Sequence, residues 1–182
     1  MEVFEAIKTR RSIRHYKSEA IAEEKLNAVL EAARWAPSWA NTQCWRFIVV
    51  RNNDTKAKLA DALTPWNPAH EAIKEAPIVI VVCAEQGKSG FYKDAPVTDK
   101  GDWCMFDVAL ATQNLALVAH SLGLGTVHVG AFDAQKVAQI LNVPQGVAVV
   151  EVLPLGHPAE EAKTPKRKEL SELVFRENYG QK

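Results

Sequence analysis

The stretch from Gly101 to Leu122 constrains this chain more than any other. Its apolar residues (Trp103, Phe106, Val108, Leu110, Leu115, Leu117, Val118 and Leu122) fall around most of a helical circumference rather than along one stripe. A helix of that kind keeps no broad face for water, so the pattern predicts a long helix buried in the middle of the fold. Gly123-Leu124-Gly125 then stops it. The second constraint is Ile78 to Ala84, apolar and β-branched without alternation, as expected of a central strand covered on both faces.

The other elements are read around these two. Val3 to Thr9 predicts a short helix. Ala22 to Ala36 predicts a stronger one, with Leu26, Val29, Leu30 and Ala33 at i, i+3, i+4, i+7. Pro37 ends it and opens the loop Ser38 to Cys44. Trp45 to Arg51 reads as a strand closed by Asn52-Asn53-Asp54, followed by helices over Thr55 to Leu63 and up to Ala76. Residues 85–101 are polar and contain glycine, a long loop and therefore a candidate functional one. Beyond the central helix come a strand over Thr126 to Val129, a helix near Gln135 to Leu141 and a strand over Val147 to Leu153. The tail from Pro154 carries Lys166-Arg167-Lys168 and a helix from Leu170. Helices and strands mix without a strict βαβ rhythm, so the fold class is α+β, a mixed sheet around a buried helix. A chain of 182 residues suits one domain, 1–182.

Charge and motifs exclude several functions. Lys plus Arg and Asp plus Glu are 22 each, a net charge of zero, which argues against broad attraction to nucleic acid or anionic lipid. Ile78 to Ala84, the longest purely apolar run, is too short to span a bilayer. Met1-Glu2-Val3-Phe4-Glu5 lacks the basic start of a signal peptide, so the expected location is cytoplasmic. Cys44, Cys83 and Cys104 have no CxxC spacing, and the histidines at 15, 70, 120, 128 and 157 have no ligand spacing, so neither a disulfide framework nor a metal is expected. Gly123-Leu124-Gly125 follows a helix rather than a strand and is not a dinucleotide fingerprint.

Two stretches carry chemistry. Arg10, Arg11 and Arg14 flank Ser12 at a helix-to-loop junction; guanidiniums and a hydroxyl so close together can bind a phosphate, although a solvated charged loop has the same composition. Pro37-Ser38-Trp39-Ala40-Asn41-Thr42-Gln43-Cys44-Trp45 offers uncharged donors and acceptors beside two tryptophans, suited to the edge of a flat heterocycle or equally to a capped turn. His120 reads as a satisfied core residue, His128 as core or a pocket liner. Tyr16, Phe91 and Trp103 could wall a substrate, with core packing the better reading for Trp103.

Arg10-Arg11-Ser12-Ile13-Arg14 followed by Pro37 to Gln43 resembles the paired signature of the FMN-dependent nitroreductase family. Gln113-Asn114-Leu115 with Gly123-Leu124-Gly125-Thr126 resembles its third block, and Lys166-Arg167-Lys168 before Leu170-Ser171-Glu172-Leu173 its C-terminal block. Where the family usually has proline, this chain has Cys44. The resemblance implies a nitroreductase-like FMN-binding fold with a mainly antiparallel sheet, and a homodimer with the cofactor at the subunit interface. It implies Arg10, Arg11 and Ser12 on the FMN phosphate and ribityl chain, helped by Arg167 and Lys168, and Arg14 by the pyrimidine edge as electrostatic support. Pro37, Ser38 and Asn41 would come from the other subunit, and Gly130 would present its N–H near flavin N5; the tail from about 154 would touch both cofactor and partner. The activity implied is FMN-dependent reduction of a small acceptor, a nitroaromatic or quinone, by NADH or NADPH in a ping-pong cycle, with no side-chain proton donor evident. An ene-reductase, a dehalogenase, a flavin-cleaving enzyme or a flavin-binding module without turnover would share the same blocks.

Overall fold

In the computed structural model, which describes residues 1–182, helices α1 (Val3–Thr9) and α2 (Glu23–Arg34) precede a short 3₁₀ turn at Trp39–Asn41. Then follow β1 (Trp45–Val50), α3 (Asn53–Ala60), α4 (His70–Glu75) and β2 (Ile78–Glu85). A two-residue hairpin, β3 (Phe91–Tyr92) and β4 (Ala95–Pro96), sits within the long loop. The chain continues with α5 (Cys104–Ser121), β5 (Gly125–Thr126), α6 (Ala134–Leu141), β6 (Val147–Gly156) and α7 (Leu170–Leu173).

The main sheet has the order β1-β2-β6-β5, and every strand pair in it is antiparallel. The parallel component of the expected mixed sheet is one bridge, Ser12 to Thr126. β2 is central and buried from Ile78 to Ala84. Its alternate residues serve two cores. Ile78, Ile80 and Val82, with Leu153 and Leu155, pack against Leu26, Val29 and Ala33 of α2 and Val108, Ala111 and Leu115 of α5. Val79, Val81 and Cys83, with Val152, meet Leu59 of α3, Ile73 of α4 and Val137 of α6. That is why a non-alternating strand works here: both faces are under helices.

α5 departs from the all-round burial its sequence implies. Val108, Ala111, Leu115 and Ala119 are buried, but Phe106 is 53% and Met105 60% exposed, and Leu110, Leu117 and Val118 are only half-buried. One chain does not supply enough surface to cover the whole helix. The helix ends as the glycines predict. Gly123 takes φ +77°, its N–H donates to His120 O (3.0 Å), and Leu124 N donates to Ala119 O (2.9 Å), the paired bonds of a Schellman motif.

A second difference lies at Pro154. β6 continues through it to Gly156, so the tail begins later than the proline suggests. Pro154 pairs with Val79 of β2, and toward β5 it falls in the gap between the Thr126–Leu155 pair and the Val129–Val152 bridge, where no strand partner is paired with it. From residue 165 onward the chain is almost wholly exposed, and its backbone hydrogen bonds stay within itself, as in Glu172 N to Glu169 O and Arg176 N to Gln181 O.

The arginine-bearing segment is fastened beside β5. Ile13 N donates to Thr126 O (3.0 Å), and Ile13 packs so closely on Gly125 that a Cβ there would lie 2.5 Å from Ile13 Cγ1. Tyr16 completes the attachment: its ring crosses Gly156 and its hydroxyl donates to Ile13 O at 2.7 Å. Tyr16 is buried, so it is a core residue and not a substrate wall. Gly125→Ala should therefore lower stability by about 1–3 kcal/mol through overpacking. Gly130→Ala, whose Cβ would meet nothing within 4 Å, should stay within about 0.5 kcal/mol of the parent. Urea denaturation of the two variants makes the comparison.

Candidate functional site

Arg10, Arg11, Ser12, Arg14 and Arg167 line one cleft of about 720 Å³, whose far side, residues 160–165, carries Glu160, Glu161 and Lys163, so that cations outnumber carboxylates five to two. Elsewhere Arg34, Arg46 and Arg51 each pair with a glutamate, whereas none of the cleft's four arginines forms an ion pair. Arg10 Nη1 and Arg14 Nε are buried with no hydrogen-bond acceptor, and Thr126 Oγ1 in the adjoining wall is likewise alone. Burial, followed by the charges of Arg11 and Arg167, pulls the Arg10 pKa below its ordinary value. Such a cluster is poised for an anion that would supply acceptors and offset the mutual repulsion.

The members of the cluster differ. Arg11 spends its donors on the protein: Nη1 reaches Lys8 O and Arg10 O, both at 2.7 Å, while Nε and Nη2 reach Thr164 Oγ1 at 3.3 and 3.1 Å. It closes the end of α1 and ties down residue 164. Lys168 is exposed and off the cleft wall. His120 is not a core residue; it lines the adjoining cavity, where Thr9 Oγ1 lies 2.8 Å from Nε2. Thr9 donates its own proton to Glu5 O, so the imidazole is the donor in that pair. Burial, then Arg10 and Arg11, lower the His120 pKa.

Pro37 and Ser38 line a different cleft, with Trp39, Trp103, Phe106 and Leu110, at the opposite end of α5. The helical rise sets Phe106 and His120 roughly 20 Å apart. The loop is held in an unusual shape, with Ala40, Asn41 and Gln43 all at positive φ (43°, 57° and 48°). What holds it is Asp107, a buried carboxylate without a cationic partner. It accepts from Trp39 N (3.1 and 3.2 Å), from Thr42 Oγ1 (3.4 Å) and from Ser89 Oγ. Cys44, at the position where the resemblance expected proline, turns its thiol toward Asp107 Oδ2 at 3.8 Å, and burial raises the thiol pKa. Ser89 belongs to the 85–101 loop, so one carboxylate fixes both loops. Trp103 tilts against Trp39 and meets Phe106 edge-on, with ring centroids 5.3 and 5.2 Å away, making an aromatic wall above this floor. Phe91 is half-buried in the small hairpin and is not on that wall.

Gly130 opens onto a third cleft, between α5 and the end of the sheet, shared with Thr112, Gln113, His128 and Glu151. The arrangement thus brings Arg10, Arg11, Ser12, Arg14 and Arg167 together and leaves Pro37, Ser38 and Asn41 apart from them within one chain. Sequence reasoning missed Asp107 and Ser89. A lone acid within an apolar helix was the available signal for the first; nothing in the loop composition marks the second.

A helix-covered antiparallel sheet with an arginine-lined cleft at one end of its long helix and an aromatic cleft over the Asp107 carboxylate at the other is a nitroreductase-type architecture. The model of the nitroreductase family matches residues 7–157. A Methanothermobacter thermautotrophicus protein carrying the NADH dehydrogenase/NAD(P)H nitroreductase name is 36% identical over 168 residues, 90% of this chain and 81% of its own. Bacillus subtilis FMN reductase (NAD(P)H) is 31% identical over 183 residues, 91% of this chain and 70% of its own. The structure of an FMN-dependent nitroreductase from Clostridium difficile R20291 superposes with a TM-score of 0.80 at 27% identity, covering 96% of this chain and 99% of that one. The chain belongs to the nitroreductase family. It is an NAD(P)H-dependent oxidoreductase.

Removing the Asp107 carboxylate strands several buried donors at once. Thr42 and Ser89, 2.7 Å apart, can turn to each other, so with about two donors left unpartnered at about 1–3 kcal/mol each, Asp107→Ala should cost roughly 2–6 kcal/mol. The same change should release residues 85–101 to limited proteolysis, with Asp107→Asn intermediate. Denaturant midpoints and cleavage maps test both.

Proposed function

We propose that the protein binds FMN non-covalently between two identical subunits and uses NADH or NADPH to reduce a small acceptor, a nitroaromatic or quinone, by a ping-pong cycle. The observation that carries this is the pair of unpartnered guanidinium nitrogens, Arg10 Nη1 and Arg14 Nε, in a cleft of four arginines without an ion pair. Those residues fit a phosphorylated, partly anionic cofactor. Arg10, Ser12 and Arg167 would hold the phosphate end, with Arg11 bracing the wall and Lys168 adding charge from the tail. Arg14 would face the pyrimidine edge, where a fixed positive charge stabilises a developing anion. Bound FMN would supply the two-electron exchange, hydride arriving from the nicotinamide and leaving to the acceptor over one face. Gly130 would give its N–H to the reactive edge of the ring.

The subunit interface is supported by what one chain leaves uncovered. Phe4 and Ile7 of α1, Met105 and Phe106 of α5, and Leu170, Leu173 and Val174 of the tail are all exposed apolar side chains, more than a lone domain ordinarily shows to water. Pro37, Ser38 and Asn41 would then reach the flavin of the partner, which accounts for their distance from the arginines of their own chain. A twofold axis gives two equal sites.

The purified protein should be yellow, and heating should release FMN rather than FAD; a colourless protein that takes up no added FMN would overturn the reading. Arg10→Ala should weaken FMN binding by about 2–4 kcal/mol, as when one partner of a buried charged hydrogen bond is removed. Arg14→Ala should chiefly lower the flavin midpoint potential. Equal and negligible effects on titration and potentiometry would return this stretch to a solvated loop.

Shared sites make a second expectation. A chain altered at Arg10 and Arg14, unfolded and refolded with one altered at Ser38 and Asn41, should form hybrids with one doubly defective and one intact site. About a quarter of all sites should recover FMN under random pairing. Failure of verified hybrids to recover, or a fully active monomer in sedimentation, would show that each chain builds its own site.

A further inference from the structure

We propose that His128 and Glu151 form the proton-donating pair of this enzyme: His128 Nε2 delivers to the acceptor the one proton that hydride transfer leaves outstanding, and Glu151 positions the ring. The proposal rests on the reading above that Gly130 faces the flavin.

The pair follows from sheet register. Gly125 pairs with Gly156, Thr126 with Leu155, and the isolated bridge joins Val129 to Val152, all in one continuous register. In that register Gly130 lies opposite Glu151, and His128 lies diagonal to it on the same face, the one toward α5. Diagonal cross-strand neighbours are within reach when the side chains are long. His128 Nδ1 and Glu151 Oε2 are accordingly 3.0 Å apart. The β2–β6 ladder slips by one residue beside this point, where Val82 pairs with Glu151 and Cys83 with Val149. Bulges of this kind re-aim side chains next to functional clefts.

His128, Gly130 and Glu151 line the same cleft, whose other walls are Met105, Val108, Ala109, Thr112, Gln113 and Val150. No other titratable side chain faces into it. The Glu151 side chain is 13% exposed, and its second oxygen, Oε1, is buried without a partner. A carboxylate so placed, accepting from Nδ1–H, fixes the tautomer and leaves Nε2 for the cleft. Nε2 has no protein partner, and the ring, 33% exposed, can be recharged from solvent.

The stoichiometry leaves one proton for such a donor to supply. A quinone that receives hydride needs one proton on oxygen to become a hydroquinone. A nitro group that receives hydride needs one proton so that an N–O bond breaks, water leaves and the nitroso product remains. Both electrons come from NADH or NADPH; the imidazolium gives the proton, becomes neutral and regains one from water.

The experiment separates proton delivery from electron delivery. Enzyme reduced anaerobically with NADH or NADPH is mixed by stopped flow with a nitroaromatic, with p-benzoquinone, or with ferricyanide, which takes one electron at a time and no proton. In His128→Gln the nitroaromatic and quinone rates should fall roughly 10²-fold, the lower end for loss of a general acid. Ferricyanide oxidation, reduction by the nicotinamide and FMN affinity should stay within about twofold, because none depends on that proton. In the flavin-free protein, nitrogen-15 NMR should show the neutral His128 ring protonated on Nδ1, and Glu151→Leu should abolish that preference. Unchanged quinone and nitroaromatic rates, a parallel fall with ferricyanide, or an Nε2–H tautomer in the parent would each overturn the proposal. A parent that takes up no FMN removes the functional reading as well; an active parent with an indifferent His128→Gln removes this proposal alone.

Discussion

β2 has no polar side chain between Ile78 and Ala84, and every one of those residues is buried. A strand of that kind must be covered on both faces, so helices occupy both sides of the sheet and no cleft can open over its centre. The chemistry is displaced to the margins: the edge beside β5, the far end of α5, and the strip where the 126–130 segment leaves the ladder. The segment from Thr126 to Gly130 spans roughly 13 Å at the usual rise of a strand. It runs from the wall of the arginine cavity to the cleft of His128 and Glu151. An elongated ligand with an anionic end and a flat end matches that track.

Polar groups divide into those the fold satisfies and those it leaves open, and the division is informative. Asp107 receives a backbone N–H, two hydroxyls and a thiol, so its lone pairs are engaged and it acts as a structural clamp. Lys56, buried, gives its ammonium to Ala76 O at 2.7 Å. Arg10 Nη1, Arg14 Nε, Thr126 Oγ1 and Glu151 Oε1 are the buried side-chain atoms with nothing to bond. Unsatisfied buried polar groups are costly, and here all four lie on cleft walls or beside them rather than scattered through the core. Binding, rather than folding, is the state in which they would be paired.

The sequence carried the elements whose signal is local. Central helix, central strand, helix stop and arginine stretch are legible because periodicity, β-branching, glycine and charge act over a few residues. Long-range facts were not legible. That Ser89 would meet Asp107, or that Arg11 would spend its donors on Thr164, depends on chain paths that composition does not encode. His128 and Glu151 become partners only once the register of β5 on β6 and the slip beside Val150 are known. Tyr16 shows the same limit in reverse: an aromatic next to a cationic stretch reads as a pocket wall, yet the missing side chain at Gly156 draws it into the core. Pro154 reads as the end of a strand because proline lacks an N–H, yet β6 passes through it, paired with Val79 on one side and facing a gap in the pairing with residues 125–129 on the other.

α5 is where sequence and single-chain structure disagree most, and the disagreement is physical. Its apolar residues encircle the helix, but α2 and the sheet cover only part of that circle, leaving Met105 and Phe106 in water and Leu110, Leu117 and Val118 half covered. Exposed apolar surface on one side of an otherwise buried helix is unfavourable at roughly 25 cal/mol per Å², so a sequence that retains it has a use for it. In the proposed dimer this side is the seam. Hydrophobic periodicity then describes the helix in its assembled state, and the partial burial within one chain is what such a seam leaves behind. The same logic separates the arginine cleft from Pro37, Ser38 and Asn41 along the helix: residues that would never meet in one chain need not be close in it, provided a twofold partner brings its own copy of the loop to the site.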